Sequence, residues 1–250
     1  MNITFLIQAR LGSTRLPGKI LKPFFQEKSI LDLLIEKLRS VPDTNIILAT
    51  STSSTDNQLE VFAKDKNIDL FRGSESDVLE RFIKAAEQFK AKQLIRVCSD
   101  NPFLELKSIK ELILYVKENP EYDYVSFNVN GTPSIKTHYG FWTEYVTLDT
   151  LHKVSNFTNE PLYHEHVTNY IYTHPEKFKI KLLETSKELI KHNNIRLTID
   201  TETDFQNAQT IYKELKRTIN YPTIDDIINY LDNHPQYYQI MKQEISKNSK

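Results

Sequence analysis

Short apolar runs alternate along the first half of the chain with longer segments in which apolar residues recur every three or four positions. The runs predict strands at 3–7, 45–50, 69–71, 93–98 and 123–129. The periodic segments predict helices at 30–38, 56–66, 77–89 and 108–118. Strands that alternate with helices at this spacing indicate βαβ units, whose strands pair in parallel. The pattern therefore predicts an α/β fold around a mostly parallel central sheet.

The second half of the chain has a less regular pattern. Strands are predicted within 137–146 and at 179–184 and 195–199, and helices at 161–172, 201–217, 223–233 and 236–247. The 250 residues are consistent with one domain, 1–250, in which 137–184 forms a small β-rich insertion and C-terminal helices follow. Residues 247–250 are predicted to fray. Ser29 and Ser76 are the predicted N-caps of the first and third helices.

Loops that follow strands are the expected place for function, because ligands of parallel sheets bind past the carboxyl ends of the strands. Four such loops, at 9–19, 50–56, 72–77 and 99–102, carry side chains that can do chemistry. They are far apart in sequence, yet the predicted topology brings them to one edge of the sheet.

The first of these loops combines small residues with cations. Ala9, Gly12, Ser13 and Gly18 allow a backbone to approach a ligand closely, and three positive charges lie on Arg10, Arg15 and Lys19. Donors and cations in a glycine-containing turn after a strand suit a polyphosphate. The loop is not a P-loop, because its glycines are spaced differently and Ile20 stands where a magnesium-binding Ser or Thr is required. A solvated basic turn is the alternative.

Two aspartates follow predicted strands. Asp100 lies in the segment 99–102, where an Asx-turn and a ligand-binding carboxylate are equally consistent with its position. Asp200 ends the predicted strand 195–199, and its pattern alone favours the N-cap of the next helix. Asp204 is either a third carboxylate of the site or, in the interpretation we favour, a first-turn charge favoured by the helix dipole.

Composition sets limits on partners. The formal net charge is −1, from 32 basic and 33 acidic residues, which argues against a large non-specific nucleic-acid surface. Cys98 is the only cysteine, so no intramolecular disulfide is expected, a reducing compartment is favoured, and an inert thiol is predicted. No apolar stretch approaches the roughly 18 residues of a membrane span, and no signal-peptide core is present. We expect a cytoplasmic protein with no membrane partner.

The basic loop, I-Q-A-R-L-G-S-T-R-L-P-G-K at 7–19, resembles the nucleotide loop of the sugar nucleotidyltransferases. It is most similar to the cytidylyltransferases that make CMP-activated sugar acids, in particular the spore-coat-polysaccharide type. Three further segments resemble the same family: R-G-S-E-S-D-V-L-E-R-F at 72–82, E-H-V-T-N-Y-I at 165–171 and R-L-T-I-D at 196–200. The chain departs from the family pattern at Ser99 and Asn101, on either side of Asp100.

The resemblance implies a Rossmann-like three-layer sandwich of the nucleotide-diphospho-sugar transferase type, with 137–184 serving sugar binding or dimerisation. It implies Mg²⁺-dependent transfer of CMP from CTP to a sugar or sugar acid, with pyrophosphate release, for surface polysaccharide biosynthesis, by a homodimer. The implied catalytic residues are Arg15, Lys19 and Asp100, and the implied metal ligands are Asp100 and Asp200. The implied nucleotide-binding residues are Ala9, Arg10, Leu11, Gly12, Ser13, Arg15, Lys19, Thr50, Arg72 and Asp77. The implied acceptor-binding residues are Asn128, His138 and Gly140.

Other functions stay open at this point. A glycosyltransferase on a related fold would use a nucleotide-sugar donor, but its usual D-x-D motif is missing at 99–101. A non-catalytic nucleotide-binding protein is the third possibility. The run His164-Glu165-His166 does not predict a zinc site, because residues two apart on a helix point in different directions.

Overall fold

A computed structural model describes residues 2–248 of the chain. Its strands are β1 (Ile3–Gln8), β2 (Pro23–Phe25), β3 (Lys28–Ser29), β4 (Thr44–Ser51), β5 (Asp69–Gly73), β6 (Gln93–Cys98), β7 (Tyr124–Val129), β8 (Thr132–Pro133), β9 (Glu144–Thr147) and β10 (Ile180–Glu184). Its α-helices are α1 (Ile30–Arg39), α2 (Asn57–Asp65), α3 (Val78–Gln88), α4 (Leu106–Glu118), α5 (Leu148–Phe157), α6 (Pro161–Glu165), α7 (Asn169–Thr173), α8 (Lys187–Lys191), α9 (Glu202–Leu215), α10 (Ile224–Asp232) and α11 (Gln236–Asn248).

The main sheet has the strand order β10-β7-β9-β6-β1-β4-β5, with β8 paired to β7 outside this path. Strand β1 pairs in parallel with β4 and β6, β4 with β5, and β7 with β10. Strand β9 runs antiparallel to both of its neighbours, β6 and β7. The apolar run in β1 is buried throughout because the strand is central and helices cover both faces. The predicted α/β fold with a mostly parallel sheet is confirmed.

Helix starts depend on single side chains. The prediction for Ser29 is confirmed, since its hydroxyl accepts the Asp32 N–H and the Asp32 side chain accepts the Ser29 N–H in a capping box. The predicted cap at Ser76 is wrong, because Asp77 caps α3 by accepting the Glu80 N–H at 2.7 Å. Helix α3 therefore begins one residue later than its pattern predicts.

The segment 137–184 contains more helix than strand, so the predicted β-rich insertion is wrong. Only β9 is regular strand within 137–147, and both β9 and β10 belong to the main sheet. The predicted helix 161–172 is two five-residue helices, α6 and α7. It is interrupted because Val167 and Thr168 turn into the core, where the Thr168 hydroxyl donates to Glu144. The sequence pattern also missed α5 and α8 and the small hairpin of β2 and β3.

The predicted strand 195–199 is not a strand. Its three apolar side chains are buried, which explains their alternation, but the backbone pairs with loops. The Leu197 N–H donates to His138 O at 2.9 Å, and the Ile199 N–H donates to Asp100 O at 3.1 Å. The segment 195–199 therefore connects the two loops on which His138 and Asp100 lie.

The predicted C-terminal helices are confirmed as α9, α10 and α11. Helix α11 includes residues 247–248, where fraying was predicted, while 249–250 lie outside the described residues. Among residues 2–248, no helix combines the length and the apolar composition that crossing a bilayer requires.

Gly140 allows the close approach of the 195–199 segment. It has φ +72°, and a Cβ there would lie 3.1 Å from the backbone of both Leu197 and Thr198. We expect Gly140→Ala to destabilise the protein by about 3 kcal/mol, from left-handed backbone strain plus overpacking. Urea denaturation measures this change.

Gly131 is the matched control, with φ +79° and no atom within 4 Å of the position that a Cβ would take. Gly131→Ala therefore carries the backbone strain alone, about 1 kcal/mol. Equal losses in the two variants would contradict the proposed packing at Gly140.

Candidate active site

Two adjoining clefts open at the carboxyl end of the sheet. The first, here called the basic cleft, has a volume of about 290 Å³ and is lined by Gln8, Arg10, Ser13, Thr14, Arg15, Lys19, Ile20, Ser99 and Glu165. The second, here called the wide cleft, has a volume of about 430 Å³ and is lined mainly by residues from 134–142 and 166–172. Five residues line both clefts: Arg96, Cys98, Asp100, His166 and Asp200. The clefts therefore form one continuous site.

The basic loop closes on itself and sends Lys19 inward. The Gly18 N–H donates to Leu11 O at 3.0 Å, and Gly18 has φ +68°, which favours glycine. Lys19 is 8% exposed. Its ammonium donates to Asp100 Oδ2 at 2.9 Å and also to Ile199 O. The loop thus holds a buried cation against the two segments that carry Asp100 and Asp200.

Asp56, which the sequence analysis did not select, anchors the basic loop. Asp56 is 1% exposed. Oδ1 accepts the Leu11 N–H at 2.7 Å, while Oδ2 accepts the Thr50 hydroxyl at 3.2 Å and both the hydroxyl and the N–H of Ser51. In this structure the Leu11 amide is committed to Asp56, and Thr50 contributes to the same anchor.

Asp200 is surrounded by cations. Its Oδ1 lies 2.9 Å from Arg15 Nη2 and 3.6 Å from Lys19 Nζ, and its Oδ2 accepts from Arg196 Nη2 at 3.0 Å. Burial alone would raise the pKa of Asp200, but the charges of Lys19, Arg15 and Arg196 lower that pKa below its ordinary value. Asp200 therefore stays ionised at neutral pH.

The pair Asp100 and Asp200 has the donor chemistry for a divalent cation. One ammonium, that of Lys19, contacts a carboxylate oxygen of each, so the structure already holds a positive charge against both. Mg²⁺ takes oxygen ligands and needs only one or two carboxylates when phosphate and water complete its shell. Within residues 2–248 there is no group of three or more His, Cys, Asp or Glu side chains that would hold a metal without such help. The two carboxylates thus fit a metal that is shared with a phosphate ligand.

Arg96 lies at the junction of the clefts within a buried polar layer. It faces Glu144 across the antiparallel pair of β6 and β9, with Nη1 2.7 Å from Glu144 Oε2. Its Nη2 donates to Gln8 Oε1 at 3.1 Å. Tyr124 and Thr168 both donate their hydroxyls to Glu144. These hydrogen bonds hold Arg96 in a fixed position at the junction of the two clefts.

The wide cleft contains two of the three predicted acceptor-binding residues, His138 and Gly140. His138 Nδ1 lies 3.0 Å from Arg196 Nη1. Lys136, also in the lining, rests its ammonium 5.9 Å from the centre of the Tyr172 ring. Asn128 lies elsewhere, since its amide donates to Glu184 at 3.0 Å and accepts the Gly131 N–H. Cys98 lines both clefts, but burial raises the pKa of its thiol to about 11, which keeps it protonated.

Two predicted nucleotide-binding residues are held by structural contacts. Arg72 donates to Ser51 O at 3.1 Å and to Ser53 O at 2.9 Å, and so holds the turn after β4. Asp77 accepts from His164 Nδ1 at 2.7 Å while it caps α3. Seven predicted site residues are in the described part of the chain but line neither cleft: Ala9, Leu11, Gly12, Thr50, Arg72, Asp77 and Asn128.

The run 164–166 is divided between two surroundings. His164 turns to Asp77, whereas Glu165 and His166 line the clefts. Burial lowers the pKa of His164, but hydrogen bonds to Thr158 O and Asp77 outweigh it, so the pKa rises above its ordinary value. His164 thus connects α6 to the N-cap residue of α3.

Sequence reasoning missed Asp56, Arg96, Glu144 and Arg196. Arg96 had a usable signal, because a charged residue inside a buried-strand pattern requires a buried partner. Arg196 lies in the segment that resembles the family motif, although only its aspartate was selected. Asp56 had no such signal, since its position matches an ordinary helix start.

Known proteins resemble this chain over most of its length. A family model described as cytidylyltransferase matches residues 4–224. The spore coat polysaccharide biosynthesis protein SpsF of Bacillus subtilis is 34% identical over 220 residues, which cover 85% of this chain and 87% of that protein. An uncharacterized protein of Methanocaldococcus jannaschii is 37% identical over 243 residues, 96% of this chain and 94% of that protein. A solved cytidylyltransferase from Leptospira borgpetersenii has a TM-score of 0.81 at 26% identity and covers 96% of this chain and 97% of its own.

The anchor at Asp56 predicts a stability effect. Asp56→Ala removes an acceptor of several hydrogen bonds and leaves the Leu11 N–H without its carboxylate partner. We expect the free energy of unfolding to fall by about 3 kcal/mol. Urea denaturation measures it, with Asp65→Ala on the exposed face of α2 as the control, for which we expect a change within about 0.5 kcal/mol. A loss at Asp56 no larger than at Asp65 would show that the anchor contributes nothing.

Proposed function

Because the chain belongs to the cytidylyltransferase family, which consists of nucleotidyltransferases, we propose that it transfers CMP from CTP to a sugar acid and releases pyrophosphate. The observation that carries the proposal is the contact of the Lys19 ammonium with both Asp100 and Asp200, at the place where the two clefts meet. Cations, carboxylates and space for two ligands lie together there. The glycosyltransferase alternative has no comparable support.

The basic cleft is the proposed triphosphate site. Arg10, Ser13, Arg15 and Lys19 line it, and the three cations neutralise phosphate charge as the negative charge shifts to the leaving group. Ala9, Leu11 and Gly12 shape the loop rather than line the cleft. Their contribution is made through the backbone that Asp56 anchors.

Thr50, Arg72 and Asp77 are proposed to act at a distance from the phosphates. Thr50 donates to Asp56, Arg72 holds the turn after β4, and Asp77 fixes the start of α3. These contacts set the shape of the nucleotide side of the site.

Asp100 and Asp200 are the proposed ligands of Mg²⁺. When bound, the metal withdraws charge from the α-phosphate and lowers the pKa of the attacking hydroxyl. The acceptor hydroxyl oxygen forms a bond to the α-phosphorus, the bond from that phosphorus to the bridging oxygen breaks, pyrophosphate leaves with the electron pair, and the hydroxyl proton passes to solvent. The chain's own part is to position the reactants and to neutralise charge through Arg15 and Lys19.

The wide cleft is the proposed acceptor site. Its lining includes His138, Arg96 and the ammonium of Lys136, whose charge favours an acidic sugar over a neutral one, and Gly140 lets the cleft wall close on 197–198. Asn128 lies outside this cleft and is not proposed to contact the acceptor. By analogy with the family, we place the reaction in surface polysaccharide biosynthesis and infer a cytoplasmic homodimer, with 137–184 serving sugar binding or dimer contacts.

Pyrophosphate release tests the function directly. The protein is incubated with Mg²⁺, each of the four nucleoside triphosphates, and a panel of sugar acids, sugar phosphates and neutral sugars. We expect release with CTP and an acidic acceptor. Release with a different nucleotide would contradict the base assignment, and failure of calorimetry to detect any nucleotide binding would overturn the whole proposal.

Asp100→Asn tests the metal assignment. The substitution keeps the shape of the side chain and removes its charge, so we expect turnover to fall about 100-fold or more. The fold should change little, because the Asp100 side chain is 30% exposed. Asp65→Asn, at an exposed residue that lines neither cleft, is the control for which we expect wild-type turnover. Turnover close to wild type in Asp100→Asn would remove this carboxylate from the metal site.

A further inference from the structure

The guanidinium of Arg196 connects the metal side of the site with the acceptor side. Its side chain is 1% exposed and lies between three partners. Nη2 donates to Asp200 Oδ2 at 3.0 Å, and Nη1 lies 3.0 Å from His138 Nδ1. Nε and Nη2 donate to the two oxygens of Asp204 at 2.8 and 2.9 Å. One side chain thus contacts a proposed metal ligand and a proposed acceptor-binding residue.

Asp204 makes the orientation of Arg196 rigid. Its carboxylate, 3% exposed, holds the guanidinium through two parallel hydrogen bonds, a geometry that resists rotation. The same carboxylate accepts the N–H groups of Asp200 and Thr201, each at 3.0 Å, within the capping box of α9. Arg196 is therefore fixed to the first turn of a helix, and its free edge points to His138.

The contact with Arg196 decides where the proton of His138 resides. A guanidinium N–H only donates, so His138 Nδ1 must present its lone pair to Arg196 Nη1. The ring proton then lies on Nε2. A proton on Nδ1 would set two N–H groups against each other at 3.0 Å.

We propose that Arg196 is a positioning residue that holds Asp200 in place and fixes His138 as a hydrogen-bond donor to the acceptor through Nε2–H. The proposal rests on the proposed function, in which the acceptor occupies the wide cleft that His138 lines. It excludes the role that a histidine beside a reacting hydroxyl suggests first, that of general base, since a base at Nε2 needs its lone pair there. The acceptor proton therefore leaves by a route other than His138.

The tautomer is tested without catalysis. The full chain is labelled with ¹⁵N-histidine and studied by NMR without nucleotide or metal, and the His138 signals are assigned by their loss in His138→Gln. We expect Nδ1 to show the shift of a bare nitrogen and Nε2 that of a protonated one. A proton on Nδ1, alone or together with one on Nε2, would overturn the proposal. The NMR result does not depend on catalysis, so it can be obtained even if the protein releases no pyrophosphate with any acceptor. Failure of the proposed function can therefore be distinguished from failure of this inference.

Kinetics separate a donor from a base. Gln at position 138 still offers an N–H, whereas Ala offers none. With CTP saturating, we expect kcat/KM for the acceptor to fall less than about 10-fold in His138→Gln and about 100-fold in His138→Ala, mostly through KM. If kcat/KM falls equally in the two variants, if the fall is in kcat, and if the acidic limb of the pH–rate profile is lost, His138 is a general base. That result would refute the donor role. His152→Gln, on the exposed surface of α5, is the control.

Arg196→Lys tests the positioning role of Arg196 directly. Lysine keeps the charge but has no planar fork to contact Asp204, Asp200 and His138 together. We expect Mn²⁺ binding in the presence of CTP, followed by electron paramagnetic resonance, to weaken about 10-fold and KM for the acceptor to rise about 10-fold. Wild-type values of both the Mn²⁺ affinity and the KM for the acceptor would overturn the proposed positioning role of Arg196. Arg217→Lys, on an exposed arginine beyond the clefts, is the control, and the histidine experiments decide the question if Arg196→Lys does not fold.

Discussion

The buried ammonium of Lys19 is the contact on which the site depends. It joins the loop after β1 to Asp100, which lies 81 positions later, and to the backbone at Ile199, 180 positions later. A buried ammonium without a partner is costly, so these contacts favour an arrangement in which the three segments lie together. The arrangement of the site therefore contributes to the stability of the fold without depending on one carboxylate, since Asp200 also lies 3.6 Å from the same ammonium.

Local sequence predicts most of the sheet and only part of the site. Strand β6 has the predicted bounds because its apolar residues are buried on both faces of a central strand. The segment 195–199 shows the limit of this reasoning, because alternating burial does not say whether the backbone pairs with a strand or with loops. Thr168 shows another limit, since its hydrogen bond to Glu144 breaks a helix that local preference favours.

The site likewise contains residues that local sequence predicts and residues that it does not. Asp100 and Asp200 were selected through the resemblance to the family, because position alone left Asp100 undecided and favoured a helix N-cap for Asp200, and the structure does bring the two together at Lys19. Asp56 and Arg196 act through partners 45 and 58 positions away, Leu11 and His138, and no local pattern encodes such pairs. Arg72 and Asp77 lie in a segment that resembles the family, yet their contacts hold turns and helix starts.

The charge balance of the site gives a physical reason for a divalent cation in the proposed reaction. In the structure, Arg15 is paired with Asp200 and Lys19 with Asp100. A triphosphate that drew these two cations to its own oxygens would leave both carboxylates beside a polyanion, and neighbouring like charges repel one another in a partly buried site. A dication held by the two carboxylates would offset this repulsion. Asp200 is suited to hold such a cation, because Arg196, anchored by Asp204, donates to its second oxygen independently of Arg15 and Lys19.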